Sequence, residues 1–124
     1  GPTVIKHKGK YYLFYSANHF MSRDYAVGYA VADSPLGPWK KPNDNRIIHR
    51  STVGENGSGH GDVFDDSKGN IFYVYHVHHS DHAVSPRLTR IVPLHFVPSA
   101  DGFDRVEVKR EEVIVPIVKT GGKK

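Results

Sequence analysis

The sequence predicts an all-β protein, and three observations carry that prediction. Apolar and polar residues alternate with a period of 2, no segment sustains the 3.6 period of an amphipathic helix, and turn-forming clusters interrupt the chain about every ten residues. The first strand-like run is residues 10–16 (KYYLFYS), aromatic-rich and preceded by the turn Lys8-Gly9. The second, residues 25–32 (YAVGYAVA), closes at the breaker cluster Asp33-Ser34-Pro35-Leu36-Gly37-Pro38. Residues 70–76 (NIFYVYH) follow the turn Asp65-Asp66-Ser67-Lys68-Gly69. Residues 90–96 (RIVPLHF) make a further strand, in which Pro93 argues for an edge or a bulge. Residues 106–109 and 113–118 complete the set.

Length and composition bound the function. The 124 residues suffice for about one small domain or part of a larger one. Hydrophobic residues at 38% and charged residues at 24% suit a packed core and exclude disorder of the whole chain. No apolar run approaches the roughly 20 residues of a transmembrane helix, so no membrane association is expected. No basic segment followed by an apolar stretch opens the chain, so no signal peptide is expected within it. Absence of cysteine excludes disulfides and thiolate metal sites. The net charge is small, 17 − 13 = +4, and five of the basic residues are Lys109, Arg110, Lys119, Lys123 and Lys124. The aromatics lie inside strand-like runs rather than beside a basic cluster, so nucleic acid is not the expected partner. Residues 119–124 read as a disordered basic tail.

The chain repeats itself. A shift of 69 − 9 = 60 places Gly9 on Gly69, and Tyr11, Tyr12, Tyr15 and Ser16 on Ile71, Phe72, Tyr75 and His76. Each copy reads as a short strand, a turn, an aromatic strand, a longer loop, a third strand and an outer strand. A four-stranded antiparallel meander used repeatedly is the blade of a β-propeller. Two blades do not close a ring, because propellers have four to eight. One small β-sandwich is the alternative architecture.

Five segments resemble, in order and spacing, the C-terminal part of glycoside hydrolase family 43. They are Gly1-Pro2-Thr3 with residues 8–16; residues 25–30 with the Ser34-Pro35-Leu36-Gly37-Pro38-Trp39 turn; Gly57-Ser58-Gly59-His60-Gly61-Asp62-Val63; Tyr73-Val74-Tyr75-His76; and residues 87–94. The resemblance implies two blades of a five-bladed propeller, residues 1–56 as the penultimate and 57–118 as the last. It implies an inverting hydrolase of plant polysaccharide glycosides, arabinofuranosyl, xylosyl or galactosyl, that is secreted or periplasmic. Its three carboxylates, two Asp and a Glu, would all lie outside this chain, the general acid Glu immediately before Gly1. The chain is therefore expected to lack its acid and base and to be inactive alone. Its open faces are expected to self-associate or to pair with the missing blades. A non-catalytic carbohydrate-binding or structural β-domain is the competing reading.

The resemblance also assigns roles by position. His60 would face the channel, either ligating a central calcium with waters or hydrogen-bonding a catalytic carboxylate. Arg87 would reach the cavity floor and hold a carboxylate and a sugar hydroxyl bidentately, with Arg90 as its competitor. Phe20 and His76 would contact substrate, with His19 beside Phe20. Glu55 and Asp62 read as a loop charge and a strand-end cap rather than as a substitute acid–base pair. The histidines 76, 78, 79 and 82 invite a zinc reading, against which His76 belongs to the Tyr-His strand and His79 and His82 to a loop. Trp39 is expected to pack in its turn rather than to form a sugar platform.

Overall fold

The computed structural model describes residues 2–19, 21–42, 46–80 and 82–117. They form two four-stranded antiparallel sheets in strictly sequential order. The first holds β1 (Thr3–His7), β2 (Lys10–Ala17), β3 (Ala26–Ala32) and β4 (Arg46–Ile48). The second holds β5 (Gly59–Asp65), β6 (Ile71–Val77), β7 (Leu88–Val97) and β8 (Arg105–Glu107). A helical turn, α1 (Arg50–Val53), joins the sheets, and a 3-10 turn spans Arg110–Glu112. The 60-residue shift carries β2 onto residues 70–77, the position of β6. Among the described residues no helix is long and apolar enough to cross a membrane.

The turns follow from local chemistry. Lys8 and Gly9 both take positive φ, 48° and 78°, between the paired residues His7 and Lys10. That is the two-residue loop whose twist matches a β-hairpin. In the β5–β6 turn the Asp66 carboxylate accepts from the Lys68 amide at 2.8 Å and the Asn70 side chain at 2.7 Å. These bonds, that from Asn70 foremost, hold its carboxyl below the usual range.

The core lies where the sheets face one another. Alternation puts Tyr12 and Phe14 of β2 on one side and Tyr73, Tyr75 and Val77 of β6 on the other, all fully buried. The Phe14 and Tyr73 rings lie 6.0 Å apart, and Tyr12 meets Phe96 edge-on at 5.2 Å. Tyr12 and Tyr29 suit this seam because their rings are apolar and their hydroxyls bond at the rim. Tyr12 donates to the Asp104 carbonyl at 2.7 Å, and the Val106 amide donates to the Tyr29 hydroxyl at 3.2 Å, fastening β8 to the first sheet.

Two strand expectations change. Residues 113–117 are not a strand: Ile114 makes a single bridge to Ile91 after the 3-10 turn, and Pro116 lacks the donor a ladder needs. Val118 lies outside the described residues, as does the tail 119–124. Pro93 stands within β7, paired with Phe72, rather than on an edge strand. The Ile91 amide points outward to Ile114, so by alternation the Pro93 nitrogen does too. Short β8 pairs only with residues 95–97, and no ladder bond is lost there.

Candidate functional site

The sheets share a direction, so one end of the molecule collects the start of β1, the end of β2, the start of β5 and the end of β6. An open cleft of about 420 Å³ lies there, lined by Pro2, Thr3, His60, Gly61, Asp62, Val74, Tyr75 and His76.

His60 is exposed, in the left-handed region at φ 50°, where β5 departs from regular pairing between Gly59 and Asp62. A non-glycine residue there needs outside support. Ser16, at the end of β2, supplies it by accepting the His60 amide hydrogen at 2.9 Å. Gly61 permits the same irregularity, since a Cβ there would stand 1.7 Å from the Val74 carbonyl oxygen. The imidazole so placed lies 6.2 Å from that of His76, centroid to centroid. Burial, followed by the neighbouring charges of His60 and Arg87, pushes His76 below the ordinary histidine pKa. Neutral His76 can both donate and accept a hydrogen bond.

The structure thus brings His60 and His76 together in the cleft, with Arg87 near enough for its charge to act on His76 but not among the cleft's lining residues. Arg90 is turned to the opposite side and engaged elsewhere. Its guanidinium grips Glu55 at 3.0 and 3.2 Å, a bidentate pair beside the buried Tyr75 hydroxyl. Glu55 is therefore an ion-pair partner. Asp62 is exposed in the cleft and accepts from the Val63 amide at 2.8 Å. Phe20 lies outside the described residues, and His19 beside it is exposed.

The histidines after His76 stand apart from the cleft. His78 is buried against Gly57, and its amide donates to the Asn56 carbonyl at 3.0 Å. His79 and His82 are exposed loop residues. Among the described residues no three His, Asp or Glu side chains are grouped to hold a metal. Calcium takes six to eight ligands, mostly oxygen, so a calcium at His60 would draw the rest of its shell from waters and from groups outside this chain.

The sequence profile of Glycosyl hydrolases family 43 matches residues 1–103. The chain belongs to this family. Its two sheets are accordingly blades of the five-bladed β-propeller. The family 43 chain is 32% identical over 97 residues to Beta-D-galactofuranosidase xynD of Aspergillus niger, covering 77% of this chain and 28% of the relative. It resembles the crystal structure of an endo-1,4-beta-xylanase from Bacteroides thetaiotaomicron at 36% identity and a TM-score of 0.76, over 93% of this chain and 38% of that one. A thermostable family-43 glycoside hydrolase gives 44% identity and a TM-score of 0.72, over 86% and 34%. The chain therefore spans less than two fifths of the length of these relatives.

Sequence reasoning missed Ser16 as the support of His60, and Pro2 and Thr3 as cleft walls. A signal for Ser16 existed: the 60-residue shift places it on His76, and both end the second strand of their blade at the cleft.

Proposed function

We propose that this chain supplies the last two blades of an inverting glycoside hydrolase acting on arabinofuranosyl or xylosyl linkages of polysaccharide, with a galactosyl substrate as the near alternative. The observation that carries the reading is the pairing of His60 and His76 in an open cleft of a family 43 blade pair. Inversion requires an acid to protonate the leaving oxygen and a carboxylate to activate water, about 6.5–9.5 Å apart. Among the described residues neither Glu55, held by Arg90, nor exposed Asp62 is arranged for that pair. The acid is assigned to the residue before Gly1, and the presence of Pro2 and Thr3 in the cleft wall supports it, because two residues span at most about 7 Å.

On this reading Arg87 holds a carboxylate and a sugar hydroxyl, neutral His76 hydrogen-bonds a second hydroxyl, and His60 orients the group opposite. A central calcium would take His60 as its ligand from this chain, and no step depends on it. The intact protein would work outside the cytoplasm, secreted or periplasmic, where polysaccharide is met.

The test is hydrolysis of nitrophenyl arabinofuranoside, xyloside and galactoside by the chain alone and by the chain extended upstream. Activity is expected only in the extended protein, with the β- or α-configuration of the first product inverted by NMR. In that protein Arg87→Ala should lower kcat/KM by about 10²–10³, the effect of removing one positioned donor. Turnover by the short chain would overturn the assignment of the acid, and binding without turnover by the long one would favour a carbohydrate-binding domain.

A further inference from the structure

At the other end of the sheets lies a second crevice of about 480 Å³, lined among others by Lys10, Asp33, Trp39, Lys40, Asp101 and Phe103. We propose that it is a second saccharide site, which holds a stretch of polymer away from the hydrolytic cleft. The proposal rests on the glycan-acting reading above for the identity of the polymer.

The crevice is separate from the cleft. Lys10 opens β2 and Ser16, which supports His60, stands near its end, so six residues at about 3.3 Å each put roughly 20 Å between them. It is formed by the β3–β4 loop of one blade and the β7–β8 loop of the other, and both are within this chain.

Its chemistry favours a neutral polyhydroxyl ligand. Two lysines and two aspartates cancel, 2 − 2 = 0, which disfavours phosphate, nucleic acid and cations alike. The same four groups offer donors and acceptors for hydroxyls. Trp39 and Phe103 are both only partly buried, so Trp39 packs in its turn while leaving part of its ring exposed. Their rings provide apolar surface for the C–H face of a sugar. The volume is in the range of small-ligand pockets, which combine apolar walls with a few polar groups.

The site is also held in shape before any ligand arrives. Trp39 folds back over Gly37, at φ 91°, where a Cβ would meet its Cδ1 at 3.0 Å and its Nε1 at 3.4 Å. Lys40, the next residue, is clamped to β3 by paired backbone bonds with Val31 of 2.8 and 2.9 Å. Lys10 is ion-paired with Asp33 at the lip. Little ordering is left to be lost on binding, which is the condition for a usable weak site.

Trp39 is the only tryptophan of the sequence, so its fluorescence reports this crevice alone. Titration of the chain with xylohexaose or arabinohexaose should give a saturable shift of Trp39 emission. Asp101→Ala, at an exposed position, should weaken it about tenfold, the loss of one charge-assisted bond. His60→Ala should leave it unchanged. In the extended protein Trp39→Ala should slow polymer hydrolysis and spare the nitrophenyl glycoside. Silent Trp39 emission overturns the second site, and so does a shift abolished by His60→Ala. Cleavage of the nitrophenyl glycoside with silent Trp39 would remove this site alone, whereas a Trp39 shift without cleavage supports it and removes the hydrolytic reading.

Discussion

At the scale of single residues the site depends on one backbone irregularity. His60 presents its ring to His76 because β5 bulges, and the bulge exists because Gly61 lets the Val74 carbonyl approach. Gly61→Ala must displace that carbonyl or undo the bulge, and should lower stability by roughly 2–4 kcal/mol in urea unfolding, the range of a severe overpacking substitution. His76 gives a second prediction. Its pKa is lowered on folding, so protonating it opposes the folded state. Stability is whole above the unfolded value of about 6.5 and falls as the pH drops below it. Two-dimensional NMR of the ring should find the His76 midpoint below 6.5, and His60→Ala should raise it by removing a neighbouring charge. An unmoved midpoint would leave burial and Arg87 as the causes. The identities of His60, His76 and Arg87 were legible as motifs, whereas the Ser16–His60 bond and the Arg90–Glu55 pair join residues 44 and 35 apart, which no local pattern displays.

At the scale of elements, legibility followed the alternation. β2, β3, β6 and β7 are long and half or wholly buried, so their period shows in the sequence. β4 has three residues, too few for any period, and α1 is capped by His49, which is not among the usual capping residues. Residues 113–117 misled because they are apolar, yet among them Ile114 makes only one bridge, to Ile91. The inter-blade elements carry two further tests. The Arg90–Glu55 pair is partly buried, with side-chain exposures of 13% and 34%, so Arg90→Met should cost about 2 kcal/mol, between an exposed pair and a fully buried one. A double-mutant cycle with Glu55→Gln would show how much of that is the pair itself.

Asp104 lies at the opposite seam. His7 donates to it at 2.9 Å while stacking on Phe96 at 3.9 Å, and Lys8 reaches it at 3.3 Å. These contacts, His7 first, depress the Asp104 carboxyl pKa. The contribution is present above the unfolded value of about 3.9 and disappears as pH falls through the lower folded one. Urea midpoints between pH 2 and 7 should therefore show an acid limb that Asp104→Asn flattens. An identical limb in the variant would locate the dependence elsewhere.

At the scale of the molecule, two blades share one core and leave their outer faces open. On the second blade that face carries the stacked pair Phe64 and Phe72, 5.2 Å apart, with Phe64 40% exposed. Apolar patches of this kind are uncommon on monomers. Sedimentation of the isolated chain should show concentration-dependent association, which Phe64→Lys weakens; a monomer at all concentrations would refute this. The repeat made the blade legible, while the partner of each outer face is not written in either blade.

The hydroxyl of Ser16 that props His60 crosses from one repeat to the next. Neither repeat, copied or transplanted by itself, would carry a working channel wall, because each holds half of a joint. The heritable unit of this chemistry is the join between neighbouring repeats. A gene rearranged by circular permutation would keep its wall only if the new ends fell within a blade's outer loops and left Ser16 and His60 on adjoining blades.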